Sequence, residues 1–252
     1  TATACLDPGP ARAARRAAWT SRDATNLLEI PRRVLVVGGG VVACETASWL
    51  RQLGVEELTL AVRGDRLLRA WSRSPPNAFA TRMADKGLDV RYRTEIRTVQ
   101  RPDVKDTGVG CIHGGPATVE LSDGSTLEVD EIVVAAGRHP TVDGLGLDSV
   151  GLADGKVTVA DDLTVDGVNG QWLYAVGDIA GRAALTHMGK YQARVCGDVI
   201  AARARTAPPT GHDSGERRPR AGPQVIFTVP GDRRGRPHRR PGRRRRTRRE
   251  VL

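Results

Sequence analysis

The sequence predicts an α/β fold in which helices alternate with the strands of a parallel sheet. Two observations predict it. A strand pattern over residues 33–37, apolar from Val34 to Val37, is followed by three glycines, and a helical pattern separates it from a second strand over residues 58–62. A second helix over residues 74–86, begun by two prolines, leads to a third strand over residues 89–92. Strands joined through helices lie parallel, because the chain must cross back over the sheet between them.

The turn after the first strand matches a dinucleotide-binding pattern, Gly-x-Gly-x-x-Ala, in its glycines and in Ala43. Gly38 permits the tight turn, Gly40 lets the backbone approach a pyrophosphate, and Ala43 lets the next helix pack on the strand. A helix over residues 41–53 then points its first amides, those of Val41, Val42 and Ala43, at the phosphates. The order of elements favours this interpretation over a plain glycine turn. It predicts a Rossmann-like NAD(P)-binding domain over residues 31–140.

The end of the second strand bears on the choice of cofactor. NAD-binding units place a carboxylate there for the ribose hydroxyls, whereas this strand is followed by Arg63, with Arg69 close behind. Two guanidinium groups at this point can hold the extra phosphate of NADP. The sequence therefore predicts NADP, with NAD as a possibility. An alternative is that Arg63, Arg66 and Arg69 form only a solvated loop.

Beyond the third strand the apolar pattern changes to a period of two. Residues 96–99, 117–121 and 126–129 alternate in this way, which predicts an antiparallel meander inserted into the domain. An apolar strand over residues 131–136 then rejoins the parallel sheet and stops at residues 137–140.

A second group of predicted elements covers residues 141–205. Strands are expected over residues 157–159 and 172–176, and the latter leads directly into Gly177 and Asp178. An acid just after a buried strand is placed to accept hydrogen bonds from cofactor hydroxyls, although a turn or helix cap is the alternative. A helix over residues 184–201 follows, and its start at Leu185, Thr186 and His187 directs backbone donors toward the same loop.

The positive charge of the chain is confined to its end. The formal net charge is +10, but residues 217–252 hold 14 arginines and 2 acids, leaving 25 basic and 27 acidic residues in the preceding part. We expect residues 206–252 to be a disordered Arg-rich tail. Sequence-independent binding of nucleic acid by this tail is an alternative function. We regard it as secondary, because the tail has a single aromatic residue on which bases could stack.

The four cysteines show no paired or metal-ligand spacing, so neither a metal site nor a redox cysteine pair is predicted (Cys5, Cys44, Cys111 and Cys196). No secretory leader and no apolar run of membrane-spanning length is found. We therefore expect a cytoplasmic protein without membrane contact.

Three blocks of this sequence resemble the pyridine nucleotide-disulfide oxidoreductases, the flavoprotein family of glutathione reductase, dihydrolipoamide dehydrogenase and mercuric reductase. The blocks are residues 34–47, residues 132–140, and residues 173–178 with 185–187. The resemblance covers about residues 19–204 and implies FAD and NAD(P)H as cofactors in a homodimeric enzyme. Residues 1–30 would then be a lead-in from an FAD domain, and residues 141–205 part of that domain.

The resemblance also implies roles for individual residues. Arg63 and Arg69 resemble an NADP-binding arginine pair, Ala136 and Gly137 lie in a cofactor-binding block, and Asp178 would bind the flavin ribityl chain. Leu185, Thr186 and His187 would bring a helix N-terminus to the flavin. Glu45 matches a glutamate near the nicotinamide, and Val41 stands where many relatives have an aromatic gate.

The chain departs from the family pattern in two respects. It has neither the first glycine turn with its Cys-x4-Cys pair nor the C-terminal interface domain. Residues 223–228 resemble the first strand of that domain, and a frameshift after them would account for the Arg-rich tail. The resemblance implies an enzyme that passes hydride from NADPH to FAD and on to a disulfide, with a quinone or a metal ion as the alternative acceptor. We expect this chain alone to be catalytically incompetent.

Overall fold

The structure is a computed structural model that describes residues 3–5, 18–69, 78–152, 155–205, 225–226 and 232–233. Its strands are β1 (Thr3–Cys5), β2 (Arg33–Val37), β3 (Glu57–Val62), β4 (Leu88–Tyr92), β5 (Ile96–Gln100), β6 (Ala117–Leu121), β7 (Thr126–Val129), β8 (Glu131–Val134), β9 (Arg138–Pro140), β10 (Val225–Ile226) and β11 (Asp232–Arg233). Its α-helices are α1 (Ser21–Ala24), α2 (Val41–Gln52), α3 (Ala78–Ala84) and α4 (Thr186–Ala204). Within these described residues, short 3-10 helices cover Leu147–Val150 and Asp178–Ala180.

Four strands form a parallel sheet in the order β4-β3-β2-β8. This confirms the predicted α/β fold with a parallel sheet. The chain before α1 extends the sheet beyond β8, since the Trp19 amide donates to the Ile132 carbonyl and the Trp19 carbonyl accepts from Val134. Because all four strands point the same way, the residues that follow them gather at one carboxyl edge.

Both faces of this sheet are covered, which explains the unbroken apolar run of β2. Val34 and Val36 pack toward α2, in a core that includes Leu50 and Leu60. On the opposite face, four residues of the parallel sheet (Leu35, Val37, Ala61 and Ile132) pack against four residues of the antiparallel strands (Ala117, Val119, Leu121 and Val129). A strand buried on both faces has no polar alternation.

The second face is covered by a three-stranded antiparallel sheet of order β5-β6-β7. Its last two strands are joined by a turn at residues 122–125, where the Ser125 amide and hydroxyl both donate to the Asp123 carboxylate. The same acceptor bonds lower the pKa of Asp123. This sheet lies in the chain between β4 and β8, so it leaves the parallel order undisturbed.

A charged group is fully buried at the start of β8. Glu131 forms an ion pair with Arg101 at 3.1 Å and accepts from the backbone amide of His113 at 3.0 Å. The His113 ring nitrogen Nδ1 lies 3.1 Å from the same carboxylate. The predicted apolar strand thus begins with a carboxylate, and it ends at Val134, two residues earlier than expected.

Several other predictions differ from the structure. The predicted strands over residues 157–159 and 172–176 are wrong, because that region has only isolated bridges, such as Val159 to Val165 and Thr164 to Tyr174. Positive φ angles at Leu163 and Gln171 turn the chain away before a ladder can extend, and Trp172 is exposed rather than buried. Residues 138–140, predicted as a strand end, form β9 and pair with β1.

Two predictions fall largely outside the described residues. The helix predicted from residue 74 is described only from Ala78 onward, and its two prolines lie outside the described residues. The predicted disordered tail is described only at β10 and β11, which pair with each other. In the described part of the chain, no helix combines the length and the hydropathy that a membrane span requires.

Candidate dinucleotide sites

Gly38 lies where the chain leaves the parallel sheet, and its position leaves no room for a side chain. Its φ is +132°, and a Cβ built on it would lie 2.4 Å from the carbonyl oxygen of Ala135. Its amide donates to the Ala61 carbonyl at 2.9 Å. Glycine is therefore required both by backbone conformation and by the closeness of the segment after β8. This geometry agrees with the first predicted role, a tight turn.

The N-terminus of α2 is open. Its N-cap is Gly40, no side chain caps it, and its first turn contains no acid. The amides of Val41, Val42 and Ala43 have no acceptor within the helix, because the first turn of any α-helix lacks one. A Cβ built on Gly40 would have no neighbour within 4 Å. These residues fit a diphosphate, which needs free amide donors and a close backbone approach.

The loop after β3 packs directly on this turn. The Leu68 amide donates to the Gly39 carbonyl at 2.7 Å, and Leu67 and Leu68 are both buried in the core on the helix side of the sheet. Arg63 and Arg69 project from the same loop with side chains 87% and 73% exposed. Their nearest acids, Glu95 at 3.9 Å and Asp65 at 3.8 Å, hold them only loosely. Both guanidinium groups are thus available to a phosphate.

Arg93 is a further cation at this edge that the sequence analysis missed. It follows β4 directly, its φ is +52°, and its amide donates to the Gly64 carbonyl at 3.0 Å. Its side chain is exposed and has no hydrogen bond or ion pair with any part of the chain that the structure describes. The signal was available, since residues that end neighbouring parallel strands share one edge.

A second site is a pocket of about 400 Å³ beside the start of α4. Four predicted residues line it, namely Gly177, Asp178, Leu185 and Thr186. Four more residues in its wall were not predicted (Arg138, Val176, Ala184 and Gly189). The predicted His187 is exposed and is not among the lining residues. Asp178 lies in the wall with its carboxylate 3.8 Å from the Arg138 guanidinium.

The start of α4 opens onto this pocket without a cap. Its N-cap is Leu185, whose backbone is extended, and neither a capping side chain nor an acid is present in its first turn. The helix therefore presents unpaired amides and the positive end of its dipole to the pocket. The Asp178 carboxylate on one side can accept hydrogen bonds from hydroxyl groups, and the amides on the other side can donate to carbonyl groups. The pocket therefore fits a ligand that has both polyol and carbonyl groups.

A four-residue segment contacts both sites. At one end the Ala135 carbonyl faces Gly38, and at the other Arg138 reaches Asp178. The predicted cofactor residues Ala136 and Gly137 lie between them and are exposed. The structure thus brings the glycine turn and the pocket to the two ends of one short stretch after β8.

Glu45 is half-buried in α2, one turn beyond the open N-terminus of that helix. That Glu45 lies near a nicotinamide stays a prediction.

The thiol of the neighbouring Cys44 is buried, and burial raises its pKa to about 12. Burial also raises the pKa of Cys196. Such thiols are protonated at neutral pH and unreactive. Among the residues that the structure describes, no cluster of His, Cys, Asp and Glu could hold a metal ion.

Comparison with known families matches residues 8–193 to the pyridine nucleotide-disulphide oxidoreductases. The chain belongs to this family. Among curated relatives of this family, a glutathione reductase from Burkholderia cepacia is 29% identical over 197 residues, which is 77% of this chain and 40% of the relative. A dihydrolipoyl dehydrogenase from Chlamydia trachomatis is 30% identical over 207 residues, 81% of this chain and 39% of the relative. The chain thus spans about 40% of the length of these relatives.

Solved structures show the same fold. The HOCl-induced flavoprotein disulfide reductase RclA from Escherichia coli, in a Cu(II) complex, aligns over 92% of this chain and 49% of its own, with a TM-score of 0.72 and 22% identity. LpdA from Mycobacterium tuberculosis aligns over 84% of this chain and 42% of its own, with a TM-score of 0.63 and 23% identity. At these identities the likeness supports the family fold and no finer assignment.

Proposed function

We propose that this chain forms the nicotinamide site and part of the flavin site of an NADPH-dependent flavoprotein oxidoreductase. NADPH would bind at the glycine turn and FAD in the pocket beside α4. When bound, FAD would accept hydride from NADPH and pass electrons to a disulfide or a similar acceptor. The chain's own residues bind and orient the two dinucleotides.

The observation that carries the proposal is the segment from Ala135 to Arg138, which contacts both sites. Hydride transfer requires that the two reacting rings lie in contact, so the two binding sites must be adjacent. The carbonyl of Ala135 packs on Gly38, and Arg138 reaches Asp178 in the pocket wall.

Within the nicotinamide site, the residues divide into diphosphate and phosphate contacts. The amides that begin α2 at Val41 and Val42 would hold the diphosphate, because they are uncapped. Arg63 and Arg69 would pair with the 2′-phosphate, because they are exposed at the end of β3 and only loosely engaged. This division supports NADPH as the preferred dinucleotide, with NADH as the weaker one.

Within the flavin site, Asp178 would accept hydrogen bonds from the ribityl hydroxyls. The N-terminus of α4 at Thr186 would stabilise negative charge on the ring system through its amides and its dipole. The buried thiols at Cys44 and Cys196 offer no nucleophile for disulfide exchange. We propose that the acceptor reacts in the part of the family's length that this chain does not span, with a quinone or a metal ion as the alternative acceptor.

Ligand titration of the chain tests the proposal. NADPH, NADH and FAD are each titrated, with protein fluorescence and thermal unfolding as readouts. We expect saturable binding of NADPH, weaker binding of NADH, weak binding of FAD and negligible disulfide reduction by this chain alone. Absence of nucleotide binding, or equal shifts from adenosine alone, would refute the assignment of the glycine turn.

A further inference from the structure

Gln192 is a buried polar residue of α4, only 5% exposed. A primary amide in the protein interior is costly unless its polar atoms find partners. Its side-chain oxygen accepts a hydrogen bond from the Gly177 amide at 2.7 Å. This bond ties the helix to the turn that carries Asp178.

The turn that Gly177 begins is short. Gly177 has φ +82° and ψ −150°, a conformation that L-residues avoid, and the 3-10 turn that follows has only three residues. Gly189 lies one helical turn before Gln192 on the side of the helix that faces Gly177, since a Cβ built on it would be 3.5 Å from the Gly177 Cα, an ordinary contact distance. The hydrogen bond from the Gly177 amide to Gln192 therefore joins the turn to the face of α4 that lies next to it.

We propose that Gln192 is a positioning residue of the flavin pocket. By holding the Gly177 amide toward α4, it fixes the peptide that carries Asp178 and keeps that carboxylate in the pocket wall. Gln192 itself is not among the pocket-lining residues, so it acts through the turn rather than by touching the ligand. The inference rests on the proposed function, because it takes this pocket as the flavin site.

Two substitutions separate hydrogen bonding from space filling. Gln192→Leu keeps most of the side-chain volume but removes the acceptor, leaving the Gly177 amide unpaired. Gln192→Glu keeps an acceptor oxygen in either protonation state. If Gln192 only fills space, Gln192→Leu should bind FAD like the parent chain. If Gln192 positions the turn, Gln192→Leu should bind FAD more weakly and Gln192→Glu should keep the affinity of the parent. From the cost of an unpaired buried donor we expect Gln192→Leu to weaken FAD binding about 10-fold, and Gln192→Glu to stay within about 3-fold of the parent chain.

The experiment is a fluorescence titration of FAD against the full chain and both variants, with NADPH titrated in parallel. The expected result is weaker FAD binding in Gln192→Leu, recovery in Gln192→Glu, and unchanged NADPH binding in both. Unchanged FAD binding in Gln192→Leu would overturn the inference. An equal loss of NADPH binding would also overturn it, since that marks a residue of general stability.

Amide hydrogen exchange of the ligand-free chain provides a readout that does not depend on FAD. We expect Gln192→Leu to speed exchange at Gly177 and to leave the β2–α2 turn unchanged. If the parent chain failed to bind FAD, the proposed function of the pocket would be wrong. Faster exchange at Gly177 in Gln192→Leu would still show that Gln192 fixes the turn. Unchanged exchange at Gly177 would show that the hydrogen bond does not fix the turn.

Discussion

The backbone amide of Leu68 donates a hydrogen bond to the carbonyl oxygen of Gly39 at 2.7 Å. Leu68 is buried and adopts a φ of +53°, which is unusual for a leucine. The bond joins the loop that carries Arg63 and Arg69 to the glycine turn. The two arginines and the open N-terminus of α2 are therefore held in a fixed relation by the core.

Leu68→Ala tests this relation. Loss of a fully buried leucine side chain should lower the free energy of unfolding by about 2–5 kcal/mol. It should also weaken NADPH binding without any change of charge, because the arginine loop loses the buried side chain that packs it on the core, although the backbone bond to Gly39 can still form. The measurements are chemical denaturation and NADPH titration. Leu28→Ala, at a leucine that is 76% exposed, serves as the control and should leave both unchanged.

Gly38 and Gly40 should respond differently to alanine. In Gly38→Ala the new Cβ meets the Ala135 carbonyl, so the protein should lose about 2–4 kcal/mol of stability or fail to fold. In Gly40→Ala the Cβ enters open space at an ordinary φ, so thermal stability should be retained while NADPH affinity falls. A Gly40→Ala chain that bound NADPH like the parent would argue against a diphosphate at this turn.

Arg63→Glu should reverse the preference between NADPH and NADH. The substitution replaces an attractive charge by a repulsive one beside the 2′-phosphate, and we expect NADPH affinity to fall at least 10-fold while NADH affinity changes little. Arg32→Glu is a matched control, because Arg32 is also exposed but precedes β2 at the opposite edge of the sheet. Equal responses of the two variants would mean that only net charge matters.

Removal of the buried carboxylate of Glu131 should be costly. Glu131→Ala leaves the buried Arg101 guanidinium without its carboxylate, so the free energy of unfolding should fall by about 3–5 kcal/mol. Glu56→Ala breaks an exposed pair with Arg32 and should cost at most about 1 kcal/mol. Denaturation of both variants measures the contrast, and a small effect at Glu131 would show that water replaces the pair.

Cys44 should make stability depend on alkaline pH. Burial raises the pKa of its thiol from 9.0 to about 12, so the folded state keeps a proton that the unfolded chain releases. Its contribution is complete below pH 9 and is lost as the pH rises from 9 toward 12. The free energy of unfolding of the parent should fall more steeply in this range than that of Cys44→Ala. Parallel slopes for the two chains would contradict the raised pKa.

The parallel sheet and the glycine turn could be predicted because their signals are local. The apolar run of β2, the glycines at its end and the helix that follows lie within twenty residues, and each element has its own periodicity. Arg63 could be chosen for the same reason, since it directly follows β3. Asp178 was predicted from a strand over residues 172–176 that the structure does not contain, although it does lie in the pocket wall. Their participation in cofactor binding stays a prediction.

The strands predicted over residues 157–159 and 172–176 show where local signals fail. Their apolar composition is that of a strand, but a strand forms only if a neighbour pairs with it over several residues. Here the chain turns at Leu163 and Gln171 before such a ladder can grow. Composition could not reveal those turns, because neither residue is a glycine.

The sequence by itself determined the order of strands and helices along the parallel part of the fold, the open turn at Gly38 to Gly40 and the arginines after β3. Each of these depends only on residues that are neighbours along the chain. The tertiary structure alone decided which distant groups meet. The partners of Glu131 lie 18 and 30 residues away, Gln192 reaches Gly177 across 15 residues, and Ala135 closes over Gly38. Such contacts are set by how sheet and helices pack, and packing is a property of the whole chain that no local pattern encodes.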